Sequence, residues 1–221
     1  MTKTTQPPYT LSISKDELAK LPVTEYEGNI KLIERPEEVE RAVSALRSSD
    51  IIGFDTETRP SFKKGQSNLV SLLQLSTRST CYLFRLNRIG LPPEVRAILE
   101  DPDLTKIGLS IHDDFHNLSK ICEDLRPAGF IELQQYAKQF NLADISLTKL
   151  CGLVFGRRIS KGQRLSNWEA DDLSEGQLMY ASLDAMACID LYEYLRDGKF
   201  NPADCPYKVY HTPAENDSDE K

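Results

Sequence analysis

Between residues 51 and 111 lie four apolar runs of strand length, 51–57, 69–75, 81–86 and 107–111, each closed by polar, proline-bearing or glycine-bearing sequence. Runs this short, closed by such breakers, read as strands. The second and third are separated by Ser76-Thr77-Arg78-Ser79-Thr80, which predicts an antiparallel connection. Past residue 111 the pattern changes. A helix is expected to open near Asp113, and apolar residues then recur at helical intervals over 131–140, 147–154 and 175–195. Upstream, Asn29–Ile33 reads as a strand and Pro36 as the start of a helix with Val39, Ala42, Val43 and Leu46 on one face; another helix follows Pro92-Pro93 to about Leu99. That order predicts an α/β fold, a mixed sheet flanked by helices in three layers.

The chain of 221 residues is 40% hydrophobic, enough for one substantial core over 29–211. Residues 1–28 read as an N-terminal extension in which Ser14 and Glu17 form a capping box for a short helix, Lys15–Lys20, that Pro22 stops. Residues 212–221 are acidic and lack large apolar side chains, so a disordered tail is expected. A net charge of -7 excludes the global basic field of a nucleic-acid coat protein, so any phosphate binding must be local. The sequence has no apolar run of the roughly 18 residues that span a bilayer, and the polar start MTKTTQPPYT lacks a secretory signal core; a cytoplasmic protein is the expectation. Five cysteines (Cys81, Cys122, Cys151, Cys188 and Cys205), with no Cys-x-x-Cys pair, argue for reduced thiols packed in the interior, against a disulfide framework or a thiolate zinc site.

Three places carry acids in suggestive positions. Asp55 and Glu57 are two apart on a predicted strand, so they leave the same face of the sheet, and two adjacent like charges are unfavourable unless a cation neutralises them. Hard oxygen ligands of that kind suit Mg²⁺ or Mn²⁺, although a solvated strand end carries the same pattern. In Lys106–Leu118 an apolar strand runs into a helix whose first turn holds Asp113 and Asp114; one suffices to cap the helix, which frees the other. Tyr180 and Asp184 share a helix face one turn apart, and Leu178, Ala181, Met186 and Leu191 around them predict that the helix is largely buried.

Taken together, Phe54-Asp55-Thr56-Glu57, the stretch from Gly108 to Leu118 and Tyr180-x-x-x-Asp184 resemble the three motifs of the DEDD 3′-5′ exonuclease superfamily in its tyrosine-bearing branch. The likeness is to exonuclease domains of the Werner helicase type and, more distantly, to ribonuclease D. Leu72-Leu73-Gln74-Leu75, Cys81-Tyr82-Leu83-Phe84 and Leu165-Ser166-Asn167-Trp168 add to it, and it covers 29–195. The resemblance implies a ribonuclease H-like fold and hydrolysis of phosphodiester bonds from a 3′ end, releasing nucleoside monophosphates with two divalent cations, Mg²⁺ or Mn²⁺. It further implies that Asp55 bridges both cations, that Glu57 and Asp184 complete the first site, that Asp114 holds the second, and that Tyr180 orients the attacking water. Such a scheme requires no histidine base. Where relatives commonly carry glycine this chain has Asp113, so Asp114 is taken as the ligand by register.

Thr56, Arg59, His116, Lys161 and Arg164 are the candidate substrate contacts, His116 by its place near a terminal nucleotide in the resemblance. Lys63, Lys64, Arg157 and Arg158 border the same motifs as possible phosphate grips, with ordinary solvated loops as the alternative; Trp168 reads as a core anchor. The expected partner is nucleic acid with a free 3′ end, DNA or RNA, met by a stand-alone nuclease of modest affinity and steep salt sensitivity. Two other readings compete. One is a catalytically silent nucleic-acid-binding or scaffolding protein of the same fold. The other is a sugar hydrolase using Asp55 and Glu57 as acid and base, which needs carboxyls facing each other across a substrate about 5–9.5 Å apart rather than side by side.

Overall fold

The structure is a computed structural model, and it describes residues 8–63, 65, 67–144 and 146–211. Lys64 and the tail 212–221 lie outside the described residues. Six strands form the central sheet: β2 (Asn29–Ile33), β3 (Ile51–Thr58), β4 (Val70–Ser76), β5 (Thr80–Phe84), β6 (Thr105–Gly108) and β7 (Phe130–Glu132), in the order β2-β5-β4-β3-β6-β7. The β3–β4 and β4–β5 pairs are antiparallel; β2–β5, β3–β6 and β6–β7 are parallel. The sheet is therefore mixed, with helices on both faces, as the alternation of short apolar runs and helical stretches predicts.

One face packs against α2 (Val39–Arg47), α4 (Pro93–Leu99) and α5 (Ile111–Ser119) through Val43, Leu46, Ile52, Phe54, Ile98 and Leu118. A short helix, α3 (Leu86–Ile89), lies just after β5. The opposite face carries α6 (Leu133–Ala137), α7 (Leu147–Phe155) and the long α8 (Glu175–Arg196). α8 lies so close to β3 that a Cβ on Gly53 would stand 1.9 Å from the Ala185 carbonyl oxygen. Only a residue without a side chain permits that approach, and it brings the carboxyl end of β3 beside the middle of α8. Four of the five cysteines are buried, and all five are free thiols.

Three elements differ from the sequence reading. The strand expected over 107–111 is Thr105–Gly108, and α5 opens at Ile111 rather than near Asp113. The cause is Ser110, whose left-handed backbone (φ 62°) turns the chain abruptly from strand to helix. The helix expected over 131–140 is divided into β7, α6 and a final 3₁₀ turn, because the apolar pairs that suggest helical spacing serve first as a short sheet edge. Finally, part of the segment read as an extension belongs to the core. β1 (Tyr9–Leu11) pairs antiparallel with β8 (Lys208–Tyr210), and Leu11 and Ile13 are fully buried. Asp144 holds this stretch by accepting from Ser12 Oγ at 2.9 Å and Ile13 N at 2.8 Å while it pairs with Lys149. The short helix that follows, α1 (Lys15–Lys20), carries the expected capping box of Ser14 and Glu17. Among the described residues no helix is long and apolar enough to cross a membrane.

Candidate active site

Strand alternation sends Ile51, Gly53, Asp55 and Glu57 toward α8, while Ile52, Phe54 and Thr56 face the other layer. The apolar half of β3 is sealed by its neighbours, and its carboxyl end delivers two acids to the rim of the sheet, where open α/β sheets place their sites. α8 brings a third. One carboxylate oxygen each from Asp55, Glu57 and Asp184 lie within 4.8 Å of one another. Glu57 and Asp184 are each only 8% exposed. Asp114 approaches from α5 and is held by a short hydrogen bond from the Thr56 hydroxyl to its Oδ1. Asp113, its neighbour, points to solvent. The geometry therefore separates the two adjacent aspartates, and it is Asp114 that stands against Asp55.

Burial drives the electrostatics. Desolvation raises the pKa of Asp55 well above the ordinary aspartate value, and the charges of Asp114, Asp184 and Glu57 raise it further. Glu57 is raised by burial first and then by Asp184 and Asp114, with Arg164 partly opposing. Asp184 is raised by burial against the lowering effect of the Tyr180 hydrogen bond and of Lys161. Asp114 is raised by burial, against the Thr56 hydroxyl. Acids in this arrangement await positive charge, and a donor set made only of carboxylate oxygens fits a hard divalent cation. The Tyr180 phenol is pushed up by its own burial and by the nearby acids, so it stays protonated and donates to Asp184. Trp168, fully buried, backs the phenol with ring centroids 6.2 Å apart, the core-anchor role read from sequence.

The candidate substrate contacts are distributed unevenly. Lys161 and Arg164 line a cavity of ≈ 340 Å³ together with Ser110, Gln134, Tyr180 and Asp184, so both cations border the cluster. Thr56 turns to the opposite face and serves Asp114. Arg59 pairs with Glu169 at 3.0 Å, joining the loop after β3 to the loop before α8. His116 is exposed two residues beyond Asp114, where helical pitch turns it away from that acid. Lys63 is exposed, and Arg158 Nε is bound to the Leu21 carbonyl at 3.1 Å. Arg157 lines a different cavity with Asp190 and Glu193.

One supporting residue escapes sequence reasoning. Glu132, at the end of β7, accepts from Ser110 N at 3.1 Å and Ile111 N at 2.9 Å, and so caps α5 from another strand; it also caps its own helix through Gln134 N at 3.0 Å. It thereby fixes the helix that carries Asp114. An acid placed just before a helix is a capping signal, but the continuous helix read over 131–140 concealed it.

A match to the family described as 3′-5′ exonuclease spans residues 30–198. The bifunctional 3′-5′ exonuclease/ATP-dependent helicase WRN of Mus musculus is 33% identical over 68% of this chain, but that stretch is 11% of the mouse protein. A 3′-5′ exonuclease of Arabidopsis thaliana is 30% identical over 84% of the chain and 69% of its own length. Among solved structures, the Aedes aegypti Nibbler EXO domain superposes with a TM-score of 0.70 at 22% identity, covering 82% of this chain and 96% of that one. Escherichia coli RNase D superposes with a TM-score of 0.66 at 21% identity over 76% of this chain and 44% of its own. These two carry the fold, a ribonuclease H-like sheet flanked by helices.

Proposed function

Since the chain belongs to the 3′-5′ exonuclease family, we propose that it hydrolyses phosphodiester bonds one nucleotide at a time from the 3′ end of DNA or RNA, using two divalent cations, Mg²⁺ or Mn²⁺. The observation that carries this reading is the convergence of Asp55, Glu57 and Asp184 within 4.8 Å with Asp114 alongside, buried acids that form no ion pair among the described residues. Asp55 interacts with Asp114, Asp184 and Glu57; in the arrangement that the family resemblance implies it would hold both cations, with Glu57 and Asp184 completing the first site and Asp114 the second. When bound, such ions lower the pKa of the attacking water and stabilise negative charge on the departing 3′ oxygen.

The remaining work falls to the chain itself. Tyr180, protonated and anchored to Asp184 and Trp168, orients the attacking water rather than removing its proton. Lys161 and Arg164 grip the phosphate of the terminal nucleotide from the adjoining cavity. Water adds to phosphorus, the bond to the 3′ oxygen breaks, and a nucleoside monophosphate leaves behind a strand one residue shorter with a new 3′ hydroxyl. The sugar-hydrolase reading loses its geometry here, because Asp55 and Glu57 stand side by side instead of facing across a substrate.

The test is digestion of 5′-labelled single-stranded DNA, recessed duplex DNA and RNA with Mg²⁺ or Mn²⁺. A ladder shortening from the 3′ end is expected, and it vanishes in chelator. Intact substrate with every metal would overturn the enzyme reading in favour of a silent nucleic-acid-binding protein.

A further inference from the structure

Gln74 occupies the middle of β4, fully buried, and neither polar atom of its carboxamide has a hydrogen-bond partner. It is the only side-chain amide among the described residues left in that condition. A buried amide without partners is destabilising, so its position needs a reason. In the antiparallel register of β3 and β4, Gln74 is the residue opposite Asp55. Directly opposed residues send their side chains to the same face with Cβ atoms about 4.5–5.5 Å apart. That face is the one beneath α8, where Leu72, two residues before Gln74, packs with Ala181 and Ala185.

Two of the other three acids show what is missing at Asp55. Asp114 receives the Thr56 hydroxyl, and Asp184 receives the Tyr180 phenol. Asp55, central to the cluster, receives the backbone of Thr56 and no side-chain hydrogen bond among the described residues. Carboxylates that hold metal ions are themselves held by hydrogen bonds, and loss of such a partner weakens metal affinity or activity about 10–100-fold.

We infer that Gln74 is a positioning residue for Asp55: its amide Nε2 donates to the Asp55 carboxylate when the cluster holds a cation, and so sets which oxygen faces the cluster. This rests on the metal-binding reading of Asp55. Gln74→Met keeps the volume and removes the amide. In chelator its melting temperature is expected to equal or exceed that of the unaltered protein, because an unsatisfied buried group has gone. Mn²⁺ affinity, measured by calorimetry without substrate, is expected to fall about 10–100-fold. Gln74→Asn keeps an amide but withdraws it by one methylene, and the same loss is expected there even if the Met variant does not fold.

Unchanged Mn²⁺ affinity in a folded variant overturns the inference and leaves the exonuclease reading intact. So does a collapse of the metal-free melting temperature in both variants, which marks a purely structural amide. An unaltered protein that binds Mn²⁺ yet shortens no oligonucleotide overturns the exonuclease reading instead, and the affinity comparison still decides the role of Gln74. If it binds no Mn²⁺, both readings fall.

Discussion

β3 has acids at both of its ends, each met by an acid of α8, and the two ends are built on opposite principles. At one end Asp50, just before β3, and Glu193, near the close of α8, share Arg78 at 2.8 and 2.6 Å. The hydrogen bonds from that guanidinium hold both carboxyls below their ordinary values. At the other end Asp55, Glu57 and Asp184 crowd together with no ion pair among the described residues, Arg164 and Lys161 acting on them only from a distance, and burial raises all three. Acids that serve the fold are matched with cations in the chain, so a buried group of acids left unmatched marks where a cation from outside is expected.

The largest effect should come from removing an unmatched acid. Asp55→Ala and Asp184→Ala are each expected to reduce exonuclease turnover by about 10³-fold or more, on the scale of losing a principal electrostatic group. Asp50→Ala should leave turnover within about twofold, since it lies at the far end of the same strand. Single-turnover digestion of a labelled oligonucleotide by the three proteins checks this. A Asp50→Ala enzyme as inactive as Asp184→Ala would erase the distinction between the ends.

Next comes Tyr180→Phe, which keeps the ring against Trp168 and removes only the phenolic hydroxyl. Turnover is expected to fall about 10²-fold, within the range of a lost proton-handling or water-orienting group, with Mn²⁺ affinity held near that of the unaltered protein. An unaltered rate in this variant would remove the phenol from the reaction.

How legible these features are in the sequence depends on whether they lie within one regular element. Asp55 with Glu57, and Tyr180 with Asp184, follow from alternation and helical pitch, and the structure brings them together. The choice between Asp113 and Asp114 needs the tertiary contact with Thr56, because adjacent residues on one helical turn look alike in sequence. Glu132 stays hidden since β7 is three residues long and runs directly into α6, too short for periodicity to register. The pairing of β1 with β8 joins opposite ends of the chain, and no local pattern encodes it. Gln74 looks like any strand residue until the register sets it opposite Asp55.

The two ends should also answer pH with opposite signs. An acid whose folded pKa is raised holds its proton in the folded state at pH values where the unfolded chain has released it. The unmatched cluster therefore makes the metal-free protein less stable as pH climbs from about 4 through the folded values, about 7 for Asp114 and Asp184. The lowered carboxyls of Asp50 and Glu193 stabilise above their unfolded values, and that contribution disappears as pH falls below about 4. In chelator the melting temperature is expected to drop by about 5 °C between roughly pH 5 and pH 8, the shift that about 2 kcal/mol produces in a domain of this size. Mn²⁺ should flatten that slope, as should Asp184→Asn. A melting temperature independent of pH in chelator would mean that the acids do not repel one another as their burial requires.

The smallest effect tests the matched end. Arg78→Ala leaves Asp50 and Glu193 without their shared cation, although Glu193 keeps Arg196 at 3.5 Å. All of these groups reach solvent, Arg78 with 47% of its side chain exposed, so water and salt replace much of what the guanidinium supplies. The expected loss is about 0.2–1 kcal/mol, the range of surface ion pairs. It should shrink further at high ionic strength, and turnover should stay within about twofold. Thermal unfolding at low and high salt beside a digestion assay separates the two quantities. If Arg78→Ala instead lowered turnover as far as Tyr180→Phe does, β3 and α8 would be transmitting strain along their length, and the acids at their two ends would form one coupled system.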